Sequence, residues 1–511
     1  MTKTSVTQVM EAGNITVSPQ DSVEYLQQLM IESGWGQIPV VDCGEVVGVV
    51  TRTDLIRLWG VPEEPSRRLG IAARLRRGLS EPVLTVVRRV SQAAHEMGFV
   101  PYFVGGLVRD LLLGQPIVDL DMVIEGDAIS LAERLSRRVG GRVIAHNRFG
   151  TAKWILSDQV WAKVTDDVSR KGELPPSVDF VTARTEFYTH PTALPQVEQS
   201  SIKQDLHRRD FTINTLAIRL DPDHWGELLD FYGGEEDLEK GVIRVLHSLS
   251  FIDDPTRILR AARLESRLGF RLDPRSEELI DDALPLLKRV SGDRIRHEFE
   301  LIFREEEPER AICRLDELGA LDRIHSNLTC DRCLERKYRF LRDALDRDLW
   351  GLEPGDMLFM HLALLGYGLD QEGLKALSRR LKLKREQEKD LLVLLDLQGR
   401  LPELSRLERA SRITHLLEPY PTRVLAVIWV ASESDLIRKR LLRYQTDWRI
   451  VEAALTGSEL KAMGLRPGPL FGDLLDTLRD ARLDEQVSTQ GEEEALVREM
   501  LASRNQTEED G

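Results

Sequence analysis

The sequence predicts a multidomain α+β protein whose chain changes character near residue 60 and again near residue 254. Three observations carry that reading. Residues 1–60 interleave helical and β-branched segments in the order β-α-β-β-α. The stretch that follows mixes strand-like runs such as VDFVTA with helices. From Asp254 onward β-branched runs disappear, and Leu and Ala recur at three- and four-residue spacing between Arg, Glu and Asp, the period of packed helices. With 511 residues, 42% of them hydrophobic, the chain can bury several cores.

In the first module a short lead precedes a helix over Ser22–Ser33 and a strand over Gln37–Asp42. Gly44 turns the chain into VVGVVTRTDLIRLW, a strand and then a helix that Thr53 or Asp54 is placed to cap. This order, closed by GVVTRTDL, resembles a CBS domain. The resemblance implies that a Thr-x-x-Asp pair, here Thr51 and Asp54, holds the phosphate and ribose of an adenine nucleotide. Such modules work in pairs and one is visible. Exposed Val40, Val41, Val47 and Val49 would favour association in water, so a homodimer through residues 1–60 is expected.

The Pro- and Arg-rich connector VPEEPSRRLG (61–70) ends the module, residues 71–98 are helical by period, and strands begin near Phe99. The expected boundaries are 1–60, a linker helix over 61–84, a catalytic head over 85–252, a helical nucleotide-selecting segment over 253–320, an all-α body and tail over 321–505, and a disordered end over 506–511.

The segment with the most chemistry is FVGGLVRDLLLGQPIVDLDMVIEG (103–126). Side chains alternate along a strand, so Asp119 and Asp121 leave one face and converge. Two carboxylates so held suit a pair of hard cations such as Mg²⁺, and two such ions clamp the attacking and leaving oxygens of a displacement at phosphorus. Gly105 and Gly106 let the preceding turn approach phosphate oxygens, with Arg109 one helical turn on.

That segment resembles the head of the class II tRNA nucleotidyltransferases and bacterial poly(A) polymerases, in the DNA polymerase β-like superfamily, and three further blocks agree in order. VDFVTARTE (178–186) resembles the strand supplying a third carboxylate, here Asp179. RRDFTINTLAI (208–218) resembles the second signature, and DDPTRILRAARLESRLGF (253–270) the nucleotide-selecting block. The resemblance implies a head built on a mixed sheet with helices. It also implies two Mg²⁺ ions on Asp119 and Asp121, Asp179 as ligand or base, and triphosphate contacts from Gly106, Arg109 and Arg209. Gly105, Arg208, Asp210 and Asn214 would shape that pocket.

Asp254 and Arg257 stand three apart at a helix start, hence on one face. A carboxylate accepts and a guanidinium donates, which suits the amino-plus-ring-nitrogen edge of adenine or cytosine and not that of guanine or uracil. On spacing alone, Asp254 is equally an N-cap with Pro255 as the first helical residue. The resemblance favours nucleotide selection, although Asp253-Asp254 stands where Glu-Asp is commoner. Arg260 and Arg263 follow at the same spacing, facing phosphate or a neighbouring helix.

The net charge of −15 argues against non-specific nucleic-acid binding by the whole surface. Three clusters, RKYRF (336–340), RRLKLKR (379–385) and RKRLLRYQTDWR (438–449), nevertheless mix cations with aromatic rings, as a track for tRNA would. TGSELKAMGLRPGPLFGDLLDTLRDA (456–481) resembles the family's tRNA-holding tail. Four cysteines point to a reducing cytoplasm, with Cys330 and Cys333 expected as thiols; a zinc site with His325 is the alternative. No apolar run is long enough for a membrane helix, and Met1–Gln20 does not resemble a signal peptide.

The expected reaction is addition of the terminal A, from ATP, to tRNA ending in CC. The loop Phe187–Leu206 has ordinary length, which counts against CC-only addition, and a CBS module ahead of the head occurs in the A-adding group. Complete CCA addition with CTP and ATP, or poly(A) synthesis, are the alternatives; a non-catalytic nucleotide-sensing RNA-binding protein is a remote one.

Overall fold

The computed structural model describes residues 15–51, 54–55, 65–117, 119–165, 175–187, 196–465 and 468–509. Contacts divide the chain into two units, Met1–Asp254 with Phe270–Leu279, and Pro255–Gly269 with Ile280–Gly511.

The first module forms as its pattern requires. Helix α1 (Val23–Ser33) starts at Ser22, whose hydroxyl accepts from the Tyr25 N–H at 3.2 Å, and stops at Gly34 in the left-handed region. Strands β1 (Gln37–Asp42) and β2 (Glu45–Thr51) pair antiparallel, with a bulge between Val40 and Val41. Leu26 and Met30 pack on Val17, Ile38 and Leu55. The apolar face is not quite the expected one. Val40 turns inward with Ile38, whereas Val46, Val47 and Val49 are exposed. The bulge shifts the register by one, so strict alternation misassigns these positions. Thr53 lies outside the described residues. The capping role falls to Thr51, as the Asp54 N–H donates to its hydroxyl and Asp54 accepts its N–H.

The head follows helices over Pro65–Gly78 and α2 (Glu81–His95). Its elements are β3 (Val100–Val104), α3 (Gly106–Leu112), β4 (Asp121–Glu125), α4 (Ala128–Val139), β5 (Arg142–His146), β6 (Thr151–Ile155), β7 (Ser177–Thr182), α5 (Ile202–His207), β8 (Ala217–Arg219) and β9 (Leu228–Leu229). The strands form one mixed sheet in the order β9-β8-β3-β4-β7-β6-β5, with β4 and β7 parallel and the other neighbours antiparallel. One face is buried: Val178 and Phe180 of β7, Ala152 and Trp154 of β6, Met122 and Ile124 of β4. Alternation therefore sends Asp179, Lys153 and Asp121 to the opposite face.

The second unit is helical, from α6 (Thr256–Leu268) through α7 (Gly292–Ile302), α8 (Pro308–Glu317), α9 (Arg332–Ala344) and α10 (Arg385–Arg406) to α11 (Gln490–Glu509). Three expectations need correction. A two-residue strand, Arg271–Leu272, pairs with Val242–Ile243 and returns 270–279 to the first unit; two residues are too few to show a period. The end expected to be disordered continues α11 to Glu509, since its Glu-rich sequence favours helix. Cys330 is bonded to Cys313, not left as a thiol beside Cys333; α8 brings Cys313 to a Cα–Cα distance of 4.8 Å, a proximity invisible in the local C-x-x-C spacing. Cys43 and Cys333 are free.

Trp154 is 1% exposed, and its indole N–H donates to the Gly140 carbonyl at 3.0 Å. Trp154→Ala should cost about 3–5 kcal/mol. Calorimetry should show an earlier transition for the first unit and an unmoved one for the helical unit.

Candidate active site

The site grows from one row of residues across three strands. The Asp121–Asp179 pair is in register between β4 and β7, and Asp179–Lys153 between β7 and β6. Lys153 donates to Asp179 at 2.8 Å. That hydrogen bond, ahead of any opposing burial, raises the Lys153 pKa. Asp119 lies just before β4 rather than within it. The Asp179 N–H donates to the Leu120 carbonyl at 3.0 Å, however, so the ladder already holds the intervening residue. Asp179 is thus on an interior strand, not an edge.

Three carboxylates in this space work against one another. Surrounding protein first, then the charges of Asp179 and Asp119, raise the Asp121 carboxyl above its ordinary range, while Lys153 and Arg209 pull the other way. Asp121 remains open to solvent, so the like charges are the part of this cost that a cation can remove. Three oxygen donors with uncompensated charge fit a divalent metal in donor chemistry. Among the described residues, no group of three Asp, Glu, His or Cys side chains already converges as a ligand set, and Asp179 is turned to Lys153.

The turn beside this row explains its glycines. Gly105 has φ +71°, and a Cβ there would stand 2.6 Å from Nη1 of Arg209, so the guanidinium lies directly on the turn. Arg209 and Arg208 are both anchored on Asp205, which is fully buried, at 3.0 and 2.7 Å. Burial pushes the Asp205 carboxyl up, but the two guanidinium groups outweigh it and hold it below the usual carboxylate range.

Arg109 differs from expectation. It is 4% exposed, donating to Asp110 at 2.8 Å and to the Asn214 side-chain oxygen at 2.8 Å. Asn214 in turn donates to Asp210 at 2.9 Å. Arg109, Asn214 and Asp210 therefore form a buried bracket behind the Gly105-Gly106 turn, rather than an open phosphate contact.

Asp254 is half-buried at the close of the first unit, and Arg257 is 5% exposed in the second. Asp254 does not cap α6; Pro255 occupies the cap position, without a side-chain bond. Arg260 and Arg263 reach Glu298 at 3.0 Å and Glu305 at 3.3 Å, the helix-facing alternative. Thr51 and Asp54 satisfy each other, with the Thr51 hydroxyl donating to Asp54 at 2.7 Å. Sequence reasoning missed Lys153 and Asp205. Only the IKQDLHRRD spacing, which puts Asp205 three and four residues before the arginines, hints at the second.

Three family models match: the Poly A polymerase head domain over 101–244, the probable RNA and SrmB-binding site of polymerase A over 269–330, and the CBS domain over 6–60. An A-adding tRNA nucleotidyltransferase of Geobacter sulfurreducens is 34% identical over 96% of this chain, which spans 56% of that protein's length. One from Halalkalibacterium halodurans is 31% identical over 78% of this chain and 88% of its own. The chain belongs to the tRNA nucleotidyltransferase and poly(A) polymerase family. Within that family, the Thermotoga maritima CCA-adding enzyme, solved in complex with tRNA, is similar at 30% identity and a TM-score of 0.67, over 85% of this chain and 98% of that one. No helix among the described residues is long and apolar enough to cross a membrane.

The folded state raises the Asp121 pKa above its unfolded value. Ionised Asp121 therefore costs stability above the folded pKa, and the cost vanishes below the unfolded value of about 3.9. Asp121→Asn should raise the melting temperature at about pH 8, by on the order of a degree, with the gain gone near about pH 4. A divalent cation should stabilise the parent protein more than the variant. A variant less stable than the parent at the higher pH refutes the like-charge account.

Proposed function

We propose that this chain adds the terminal adenosine, from ATP, to tRNA ending in CC, acting in the cytoplasm. The observation that carries phosphoryl transfer is the open row of Asp121 and Asp179, with Asp119 beside it and Arg209 laid on the Gly105 turn. The A-adding specificity is supported by relatives that carry that name and align along most of this chain.

In this reading Asp119 and Asp121 hold the divalent metal, two Mg²⁺ ions in full occupancy. Metal bound there neutralises charge on the phosphate oxygens as pyrophosphate leaves. Arg209, fixed by Asp205, faces the triphosphate, and the glycine turn lets the chain lie close to it. Asp179, held by Lys153, is placed to take the proton of the RNA 3′-hydroxyl that attacks the α-phosphorus. Arg109, Asn214 and Asp210 keep the turn rigid. Asp254 accepts from the adenine amino group and Arg257 donates to the neighbouring ring nitrogen.

Part of each basic cluster is committed to the fold. Arg380 donates to the Leu287 and Val290 carbonyls, Arg438 lies 4.2 Å from the Phe340 ring centroid, and Arg443 lies 4.8 Å from that of Trp448. Arg379, Lys384, Arg385, Arg339 and Lys439 remain exposed, and we assign the tRNA backbone to these. Complete CCA addition is the second reading. The likeness to a CCA-adding enzyme over 85% of the chain favours it.

Purified protein given tRNA ending at the discriminator base, at C or at CC, with each nucleotide alone, decides between them. The expected result is ATP incorporation on the CC end only; CTP incorporation on the shorter ends establishes the second reading. Asp119→Ala should abolish incorporation with tRNA binding retained. Arg257→Ala should erode the preference for ATP over GTP more than it slows transfer.

The exposed Val46, Val47 and Val49 support self-association through the first module. Sedimentation should give a dimer for the full chain and a monomer for a chain starting near Leu69. A monomeric full chain ends that idea.

A further inference from the structure

A cleft of about 1330 Å³ lies in the first unit, between the N-terminal module and the head. Its walls bring together Trp35 and Thr51 from the module with Lys203, His207, Tyr232 and His247 from the head. Three rings run along one side. The His207 ring centroid is 5.8 Å from that of Tyr232 and 5.9 Å from that of His247.

The ammonium of Lys203 is buried and has no hydrogen-bond partner, with the Phe231 ring centroid 5.7 Å away as its nearest compensation. A buried, unsatisfied cation costs free energy that an anionic acceptor would restore. Among the described residues lining the cleft there is no Asp or Glu to serve. The volume exceeds that of an ordinary small-molecule site. An aromatic wall, an unmet ammonium and two imidazoles together fit a molecule with a planar ring and a phosphate.

We propose that this cleft binds a small phosphorylated molecule carrying a planar ring, of the nucleoside monophosphate class. The phosphate meets Lys203 with His207 and His247, and the ring lies against Trp35 or Tyr232. Recognition comes from the head side, because the Thr51 hydroxyl is already given to Asp54. The cleft is separate from the carboxylate row, but α5 joins them. Lys203 and His207 face the cleft, while Asp205 between them anchors Arg208 and Arg209. An occupant that shifts α5 shifts Arg209 at the Gly105 turn.

The test uses the full chain in chelator, without tRNA, titrated calorimetrically with AMP and separately with inorganic phosphate. AMP should bind at least about tenfold more tightly than phosphate. Lys203→Met and Trp35→Ala should each weaken AMP binding by about tenfold or more, and Lys203→Arg should retain it. Circular dichroism of each variant checks folding. Absence of AMP binding, equal binding of AMP and phosphate, or unchanged affinity in folded Lys203→Met and Trp35→Ala overturns the proposal. Because the isotherm is read without metal or RNA, it stands or falls separately from the A-adding reading.

Discussion

Three carboxylates crowded at one place on a sheet repel one another, and much of the head is arranged to tolerate that repulsion. The row is rigid because its members are ladder partners in adjacent strands. Removing one charge by rotation is therefore not open to the protein. It supplies counter-charge at the edges instead, Lys153 on Asp179 and Arg209 beside the Gly105 turn. Neither neutralises the row: Asp121 still has a raised pKa. Residual strain of this kind is what a site awaiting a cation should show, since full internal compensation would leave nothing for metal to gain.

The counter-charge has its own support, and Asp205 supplies it. A lone guanidinium beside a solvent-open site would sample many rotamers. Two of them sharing one fully buried carboxylate are held, because leaving Asp205 unpaired in the interior would cost several kcal/mol. The buried Arg109–Asn214–Asp210 bracket does the same for the backbone of the turn. Position in the site is thus fixed from behind, by groups that never face a substrate.

This division explains what was legible in the sequence. Groups whose grouping is local could be read directly: helix α1 and its Ser22 cap, the alternation of β7, Asp121 with its glycine turn. Side chains whose role depends on a partner far along the chain could not. Lys153 acquires its meaning from a strand 26 residues later, and Cys313 from a loop 17 residues on. Arg109 reads as an exposed phosphate ligand by its distance from the glycines, yet its neighbour Asp110 and the distant Asn214 turn it inward. Arg260 and Arg263 illustrate the same ambiguity in a helix. A row of arginines at helical spacing serves RNA or a facing helix equally well, and only the positions of Glu298 and Glu305 decide it.

The short helix α5 then matters more than its six residues imply. Its buried acid fixes the two arginines, and its flanking Lys203 and His207 line a cleft reached from the module. A helix this short has little intrinsic stability, so tertiary contacts on its two sides set its position. A change on one side need not be large to be felt on the other, because the Asp205–Arg209 link has a single good geometry. Any control that the N-terminal module exerts on the head has a physical route here that needs no movement of the sheet: it acts on the arginine and leaves the carboxylate row in place. Such control would change how the triphosphate is held before it changed how metal is held.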